Sequence, residues 1–384
     1  MGERRVAVLG GGNTGFSLAA NAQLRGFAVT LWEIPEHGAT LEPLNEGAIR
    51  LTGVAEQGTA RLHRVTTDIA ETLATNDLVL VPVPSYAHAS FAAACVPHLR
   101  PGHVIVLTPG NMGALAFAEA ARAAGTLDGV VIAEADTAPY VCRKLGPDHA
   151  HIWGVVSGLG VAAFPAREND RVLNLLADVF PGVRAYPHVV ACGLSAGNPI
   201  LHPAGVLLNA GRVEHARGDF YFYEEGVTPG VVRAIKAVDA ERMAVGAQLG
   251  LALEPVEEAY WRAGFGPRGD LWATINGSRM LTQLRAPGSL DTRWLLEDIP
   301  YGIATWAALG TQFDVPTPVM DALTDLGAAV TGTDLRAATR TPADLGIAHL
   351  DRDALAHYLI NGQGIEPQRH SGHKEGEGEE KLTL

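Results

Sequence analysis

The stretch from residue 4 to residue 33, RRVAVLGGGNTGFSLAANAQLRGFAVTLWE, constrains the fold more than any other part of the chain. Val6 to Leu9 form a short apolar run of the kind that fills a buried parallel strand. Gly10, Gly12 and Gly15 follow as G-x-G-x-x-G, a helix-forming segment begins at once, and FAVTLWE reads as the next strand, ending in Glu33. That order predicts a doubly wound α/β unit with a dinucleotide site. The first glycine permits the tight turn, the second lets the backbone approach a pyrophosphate, and the third lets helix and strand pack closely. Gly10, Gly12, Asn13, Thr14 and Gly15 are thus expected to hold the pyrophosphate at the N-terminus of the helix. Glu33, 18 residues after Gly15, is spaced to bind ribose hydroxyls. Its charge repels a 2′-phosphate and residues 34–41 offer no Arg or Lys, so NAD is expected as cofactor ahead of NADP.

The same rhythm continues through DLVLVPVPSYAH (77–88) and HVIVLTPGNMG (103–113), each a strand running into a turn. Ligands of open parallel sheets lie at such carboxyl ends, which makes Ser85, His88 and Asn111 candidates for the cofactor cleft. Each serves equally well as a turn residue or helix cap. A further strand is read in 129–144, carrying Glu134 and Arg143. Residues 1–185 are read as a Rossmann-type doubly wound domain and 186–361 as an all-α domain. In the latter, Thr228-Pro229 and Thr317-Pro318 look like helix starts, with Ile235, Val238, Met320, Leu323 and Leu326 on apolar faces. Residues 362–384 are polar, charged and Gly-rich, and are expected to form a disordered tail.

Composition narrows the partners. A formal net charge of −13 with no Lys/Arg-rich stripe argues against nucleic acid. Nothing approaches the roughly 18 apolar residues of a membrane span. Three widely spaced cysteines, with no C-x-x-C, suit reduced thiols and a cytoplasmic protein. No metal site is expected, because the closely spaced histidines, His149 with His151 and His370 with His373, have no further ligand at a recognisable spacing.

In the second half, three segments stand out: NPILHPAGVLLNAGR (198–212), FYFYEEGVTP (220–229) and DTRWLLEDIPYG (291–302). Following the glycine turn, VPVPSYAH and LTPGNMG in that order, they make the chain resemble the opine dehydrogenases, the octopine/nopaline dehydrogenase family, from about residue 4 to about 360. The resemblance implies a Rossmann domain followed by an all-α domain. It also implies reduction by NAD(P)H of the imine formed between an amino acid and an α-keto acid. By it, His202 and Asp298 are the catalytic pair, and Arg293 helps bind a substrate carboxylate. Imidazole suits a step that both takes and gives a proton near neutral pH, and a carboxylate on its other nitrogen fixes the tautomer. Glu134 and Arg143, where the cofactor strands face the second domain, are expected to bind an amino group and a carboxylate. The aromatics of 220–223, with Trp261 and Trp272, are either an apolar side-chain pocket or plain core. A homodimer joined through the helical domain is expected. Two other readings keep the fold: a simple α-keto or 2-hydroxy acid dehydrogenase, and a non-catalytic dinucleotide sensor.

Overall fold

A computed structural model describes residues 4–44 and 47–363; the rest of the tail, 364–384, lies outside the described residues. Twelve strands are described: β1 (Arg5–Leu9), β2 (Ala28–Trp32), β3 (Ala48–Gly53), β4 (Gly58–Arg61), β5 (Arg64–Thr66), β6 (Leu78–Val81), β7 (Val104–Leu107), β8 (Val131–Ala135), β9 (Tyr140–Gly146), β10 (His149–Val155), β11 (Gly160–Phe164) and β12 (Arg184–Ala185). Eight build one sheet in the order β12-β11-β8-β7-β6-β1-β2-β5. Its pairs are parallel except β11 against β8. Strand order reverses between β1 and β6, the point where an open sheet leaves a crevice for a ligand. Strands β1, β2, β6 and β7 are apolar almost throughout, as covering on both faces demands.

A second sheet, β4-β3-β10-β9, was not expected. The segment 129–144, read above as one strand, is two: β8 in the main sheet and β9 in the small one, parted at 136–139. The small sheet explains a peculiarity of the first helix, Asn13–Leu24. Every residue from Gly15 to Ala22 is buried, because the main sheet covers one side and the small sheet the other. Asn21 bridges the layers, donating to the Tyr140 hydroxyl at 2.8 Å. At Gly15 a Cβ would lie 1.8 Å from the Gly10 carbonyl oxygen, so only glycine lets the helix start this close to β1.

Beyond β12 the described chain is helical apart from an isolated bridge between Tyr221 and Arg285. The helices Pro229–Gln248 and Pro318–Thr331 begin on their prolines as predicted, though neither threonine side chain makes the capping bond. Ile235, Val238, Met320 and Leu323 are buried, whereas Leu326 faces solvent. The final helix, Arg352–Asn361, packs on the first domain instead of the second. Its Tyr358 ring lies 5.1 Å from that of Phe164, and Arg167 donates to the Asn361 carbonyl at 2.6 Å. Leu355, Tyr358 and Leu359 supply the apolar face that drives this return, so the helical unit ends in space before residue 361. No described helix is long and apolar enough to cross a membrane.

Candidate active site

His202 lies in the middle of the helix Gly197–Leu207, and 96 residues separate it from Asp298. The fold brings them together: His202 Nδ1 is 2.7 Å from Asp298 Oδ2, and both residues are only 4% exposed. A carboxylate can only accept, so Nδ1 carries the hydrogen and Nε2 is left as an acceptor. The Tyr223 hydroxyl donates to that Nε2 at 3.0 Å. Burial, and next the nearby Asp298, push the Tyr223 phenol up, which keeps it a donor. The Trp294 indole stacks on the imidazole, with centroids 4.3 Å apart and planes within 6°. These contacts hold the ring in one orientation.

Local chemistry explains the approach. Gly205, one turn after His202, leaves space for the Phe222 ring, which a Cβ would meet at 2.6 Å. Phe222 and Tyr223 sit in a π-helical turn, Phe222–Gly226, and Asp298 immediately precedes a second, Ile299–Ile303. Such wide turns recur at functional sites because they re-aim side chains that a regular helix would carry past. Tyr223 went unidentified in the sequence beyond membership of an aromatic cluster; the cluster's spacing shows no partner for its hydroxyl. Trp261 and Trp272, grouped with it above, are instead 41% and 45% exposed and do not line the site.

His202 opens on a cavity of about 420 Å³ between the two domains. Asn13, Thr14, Cys142 and Arg143 form its wall on one side, and Asn198, Tyr223, Arg293 and Trp294 on the other. Arg285 adds a third guanidinium at the wall, and Tyr260, Phe265, Leu281 and Leu284 supply apolar surface. No Asp or Glu is among the described lining residues. Arg293 has a half-exposed side chain and stands 3.9 Å from Glu297, too far for a hydrogen bond, so it presents its charge to the cavity.

The glycine turn is shaped for a dinucleotide. A Cβ on Gly12 would project into open space, and no side chain caps the helix start at Asn13, so its first N–H groups point to an open approach. Glu33 is buried at the end of β2 and accepts from Gly11 N at 2.6 Å and Ile34 N at 2.9 Å. The carboxylate is therefore fixed in place, with lone pairs left for ribose hydroxyls.

Three cofactor candidates have other commitments. Ser85 Oγ donates to Glu297 at 3.0 Å while accepting from Asn111 Nδ2 at 2.9 Å, and all three residues are buried. His88 is buried beside Arg340, whose guanidinium donates to His88 Nδ1 at 3.2 Å; burial and then that charge lower its pKa well below the usual value. Ser85, His88 and Asn111 thus knit the domains together beneath the cleft, and their side chains do not line the His202 cavity. Glu134 needs a similar correction. It is fully buried and accepts from Met112 N and Ala114 N at 3.0 and 2.9 Å, capping the helix Gly113–Ala123. Fully buried and outside the cavity lining, it does not meet a substrate amine there.

A Rossmann domain with an open glycine turn, facing a helical domain that buries a His–Asp pair in the intervening cleft, defines a nicotinamide dinucleotide-dependent oxidoreductase. Comparison with known proteins narrows the class. Residues 185–331 match the family model of the NAD/NADP octopine/nopaline dehydrogenase α-helical domain, and residues 5–150 match the N-terminus of NAD-dependent glycerol-3-phosphate dehydrogenase. The chain is 32% identical to an opine dehydrogenase of Arthrobacter sp. (strain 1C), covering 90% of this chain and 96% of that one. It is 24% identical to vitopine synthase of Allorhizobium ampelinum over 89% and 95% of the two. Octopine dehydrogenase solved with NADH and agmatine shares the fold at a TM-score of 0.76 and 20% identity, covering 95% of this chain and 99% of that one. The chain belongs to the opine dehydrogenase family, oxidoreductases acting on CH–NH bonds.

Proposed function

We propose that the cavity joins an amino acid to an α-keto acid such as pyruvate and that the product is an N-(carboxyalkyl) amino acid, with His202 as general acid/base and Asp298 as the group that orients it. The contact between His202 and Asp298 at 2.7 Å, opening on a cavity shared with Asn13 and Thr14 of the glycine turn, carries this reading.

Nucleophilic attack needs a neutral amine, and His202 Nε2 is the acceptor placed to take the proton from the substrate ammonium. The Tyr223 O–H occupies that lone pair in this structure and marks the spot where a substrate N–H or O–H docks. After the amine adds to the keto carbon, the imidazolium returns the proton to the carbinolamine hydroxyl, which leaves as water. Asp298 stabilises the imidazolium between the two transfers. Bound through Gly12, Asn13, Thr14 and Glu33, a nicotinamide dinucleotide supplies hydride chemistry at the C=N bond.

Both substrates carry a carboxylate, and a planar guanidinium meets one bidentately. Arg143 and Arg293 take this role, with Arg285 beside them. Without an acid in the described lining, the apolar walls suit an amino acid with a neutral side chain better than a cationic one. Glu33 and the absence of Arg and Lys from residues 34–41 support NAD over NADP. Three free cysteines support a reducing, cytoplasmic setting. The reading also includes a homodimer through the helical domain, to be checked by solution mass.

The test follows NADH absorbance with pooled α-keto acids, pooled amino acids, and both together. Oxidation that requires both pools is expected. Equal oxidation with keto acids alone would make this a simple keto acid reductase.

A further inference from the structure

A lysine, Lys144, stands beside the glycine turn. Strand β9 is an edge strand of the small sheet, and it is pinned to the start of the first helix because Lys144 N donates to Asn13 Oδ1 at 2.9 Å. The Lys144 side chain then runs back over the turn. Its Nζ lies 3.4 Å above the centre of the Phe16 ring and 3.4 Å from the Gly11 carbonyl oxygen. Gly11 is the residue whose N–H is held by Glu33 on its other side. The ammonium therefore sits against the backbone over which a dinucleotide must lie.

We propose that Lys144 is a cofactor-binding residue that places its ammonium on a phosphate of the dinucleotide, reaching in from the small sheet.

Three observations support it. An ammonium carries three donors, and among the described residues its one hydrogen bond is a long contact with a carbonyl. A ring face and a carbonyl attract a cation but do not neutralise it, and part-burial, opposed by Glu33, lowers the pKa of Lys144. The protein's net charge of −13, with Glu33 at the turn itself, disfavours an anionic ligand, and a local cation beside the helix N-terminus offsets this. Arg143, Arg285 and Arg293 line the cavity, where the proposed function gives Arg143 and Arg293 the substrate carboxylates. Residues 34–41, where such a cation is usually sought, contain none.

The residue escapes sequence reading because β9 belongs to a different sheet from the glycine turn. Only the packing of that sheet on the first helix brings residue 144 to residue 11.

The experiment is a fluorescence titration of wild type, Lys144→Met and Lys144→Arg with NADH and with NADPH, without substrates, so that it does not depend on the reaction assigned above. Methionine keeps the stem that packs on Phe16 and removes the charge. The dissociation constant is expected to rise about tenfold in Lys144→Met, with most of the loss recovered in Lys144→Arg. Equal loss for both dinucleotides places the ammonium on the shared pyrophosphate; loss confined to NADPH places it on the 2′-phosphate. Unchanged affinity for both, in protein of wild-type thermal midpoint, would overturn the assignment. Lys144→Gln provides the same reading if methionine disturbs the packing.

Discussion

Glu297 and Asp298 are consecutive in the chain, both carboxylates, and 2% and 4% exposed, yet they face different domains. Asp298 turns to His202 within the helical domain. Glu297 turns to the Rossmann domain, where Oε1 accepts from Ser85 N at 2.8 Å and Ser85 Oγ at 3.0 Å. Arg340 locks the same joint from the helical side, donating to the carbonyls of Asn111 at 2.7 Å and Ser85 at 3.1 Å. In the proposed function one acid serves the chemistry, while its neighbour holds the junction between the domains. Burial alone does not separate them; the partner does.

The comparison breaks most readily at Asp298. Asp298→Asn keeps the shape but loses the charge that stabilises the imidazolium, so kcat is expected to fall by on the order of 10²- to 10⁴-fold with the thermal midpoint nearly unchanged. A loss under tenfold in steady-state assays would remove Asp298 from the chemistry. Arg340→Met should show the reverse pattern. Buried carbonyls lose a charged donor, and the expected cost is about 3 kcal/mol of stability, read by denaturant unfolding, with a smaller effect on kcat per folded molecule.

Glu297→Gln sharpens the contrast further, because a glutamine carbonyl still accepts from both Ser85 donors. A stability change of about 1 kcal/mol and a kcat within a few-fold of wild type are expected. An activity loss matching that of Asp298→Asn would put both acids in the chemistry. Glu134 offers the smallest effect. Burial pushes its carboxyl up to about 7 from 4.5, against the lowering effect of the Ala114 and Met112 N–H groups. Between those values the folded protein keeps a proton that the unfolded chain has released, so this group's contribution to stability is lost as pH rises through the window. Glu134→Gln should flatten the fall in thermal midpoint between about pH 5 and about pH 7.5. A smaller slope from Asp136, raised to about 6 by burial, should remain.

What could be read in advance follows from how local each signal is. The glycine turn with Glu33 is contained in thirty residues whose order alone specifies strand, turn, helix and strand. His202 and Asp298 were identified through the resemblance of their segments, and only the fold shows that they touch. Tyr223, Arg340 and Lys144 act across separations of 21, 252 and 133 residues from His202 Nε2, His88 Nδ1 and Gly11 O. No periodicity carries such information. Glu134 illustrates the opposite hazard: a carboxylate at a strand end beside the cleft reads as a ligand for an amine, and the same position equally suits a cap for the neighbouring helix. The small sheet lacks a local signal because β3 pairs with β10 from the far side of the main-sheet strands β6 to β8 in sequence, and β10 departs from regular pairing with β9 at two places.

The most direct test of the account is the turnover of His202→Ala with NADH, keto acid and amino acid together, beside wild type at equal folded concentration. A fall in kcat of about 10²- to 10⁴-fold with cofactor affinity retained is expected. Turnover close to wild type would contradict it, leaving the buried pair a structural contact and the proton transfers without an assigned group.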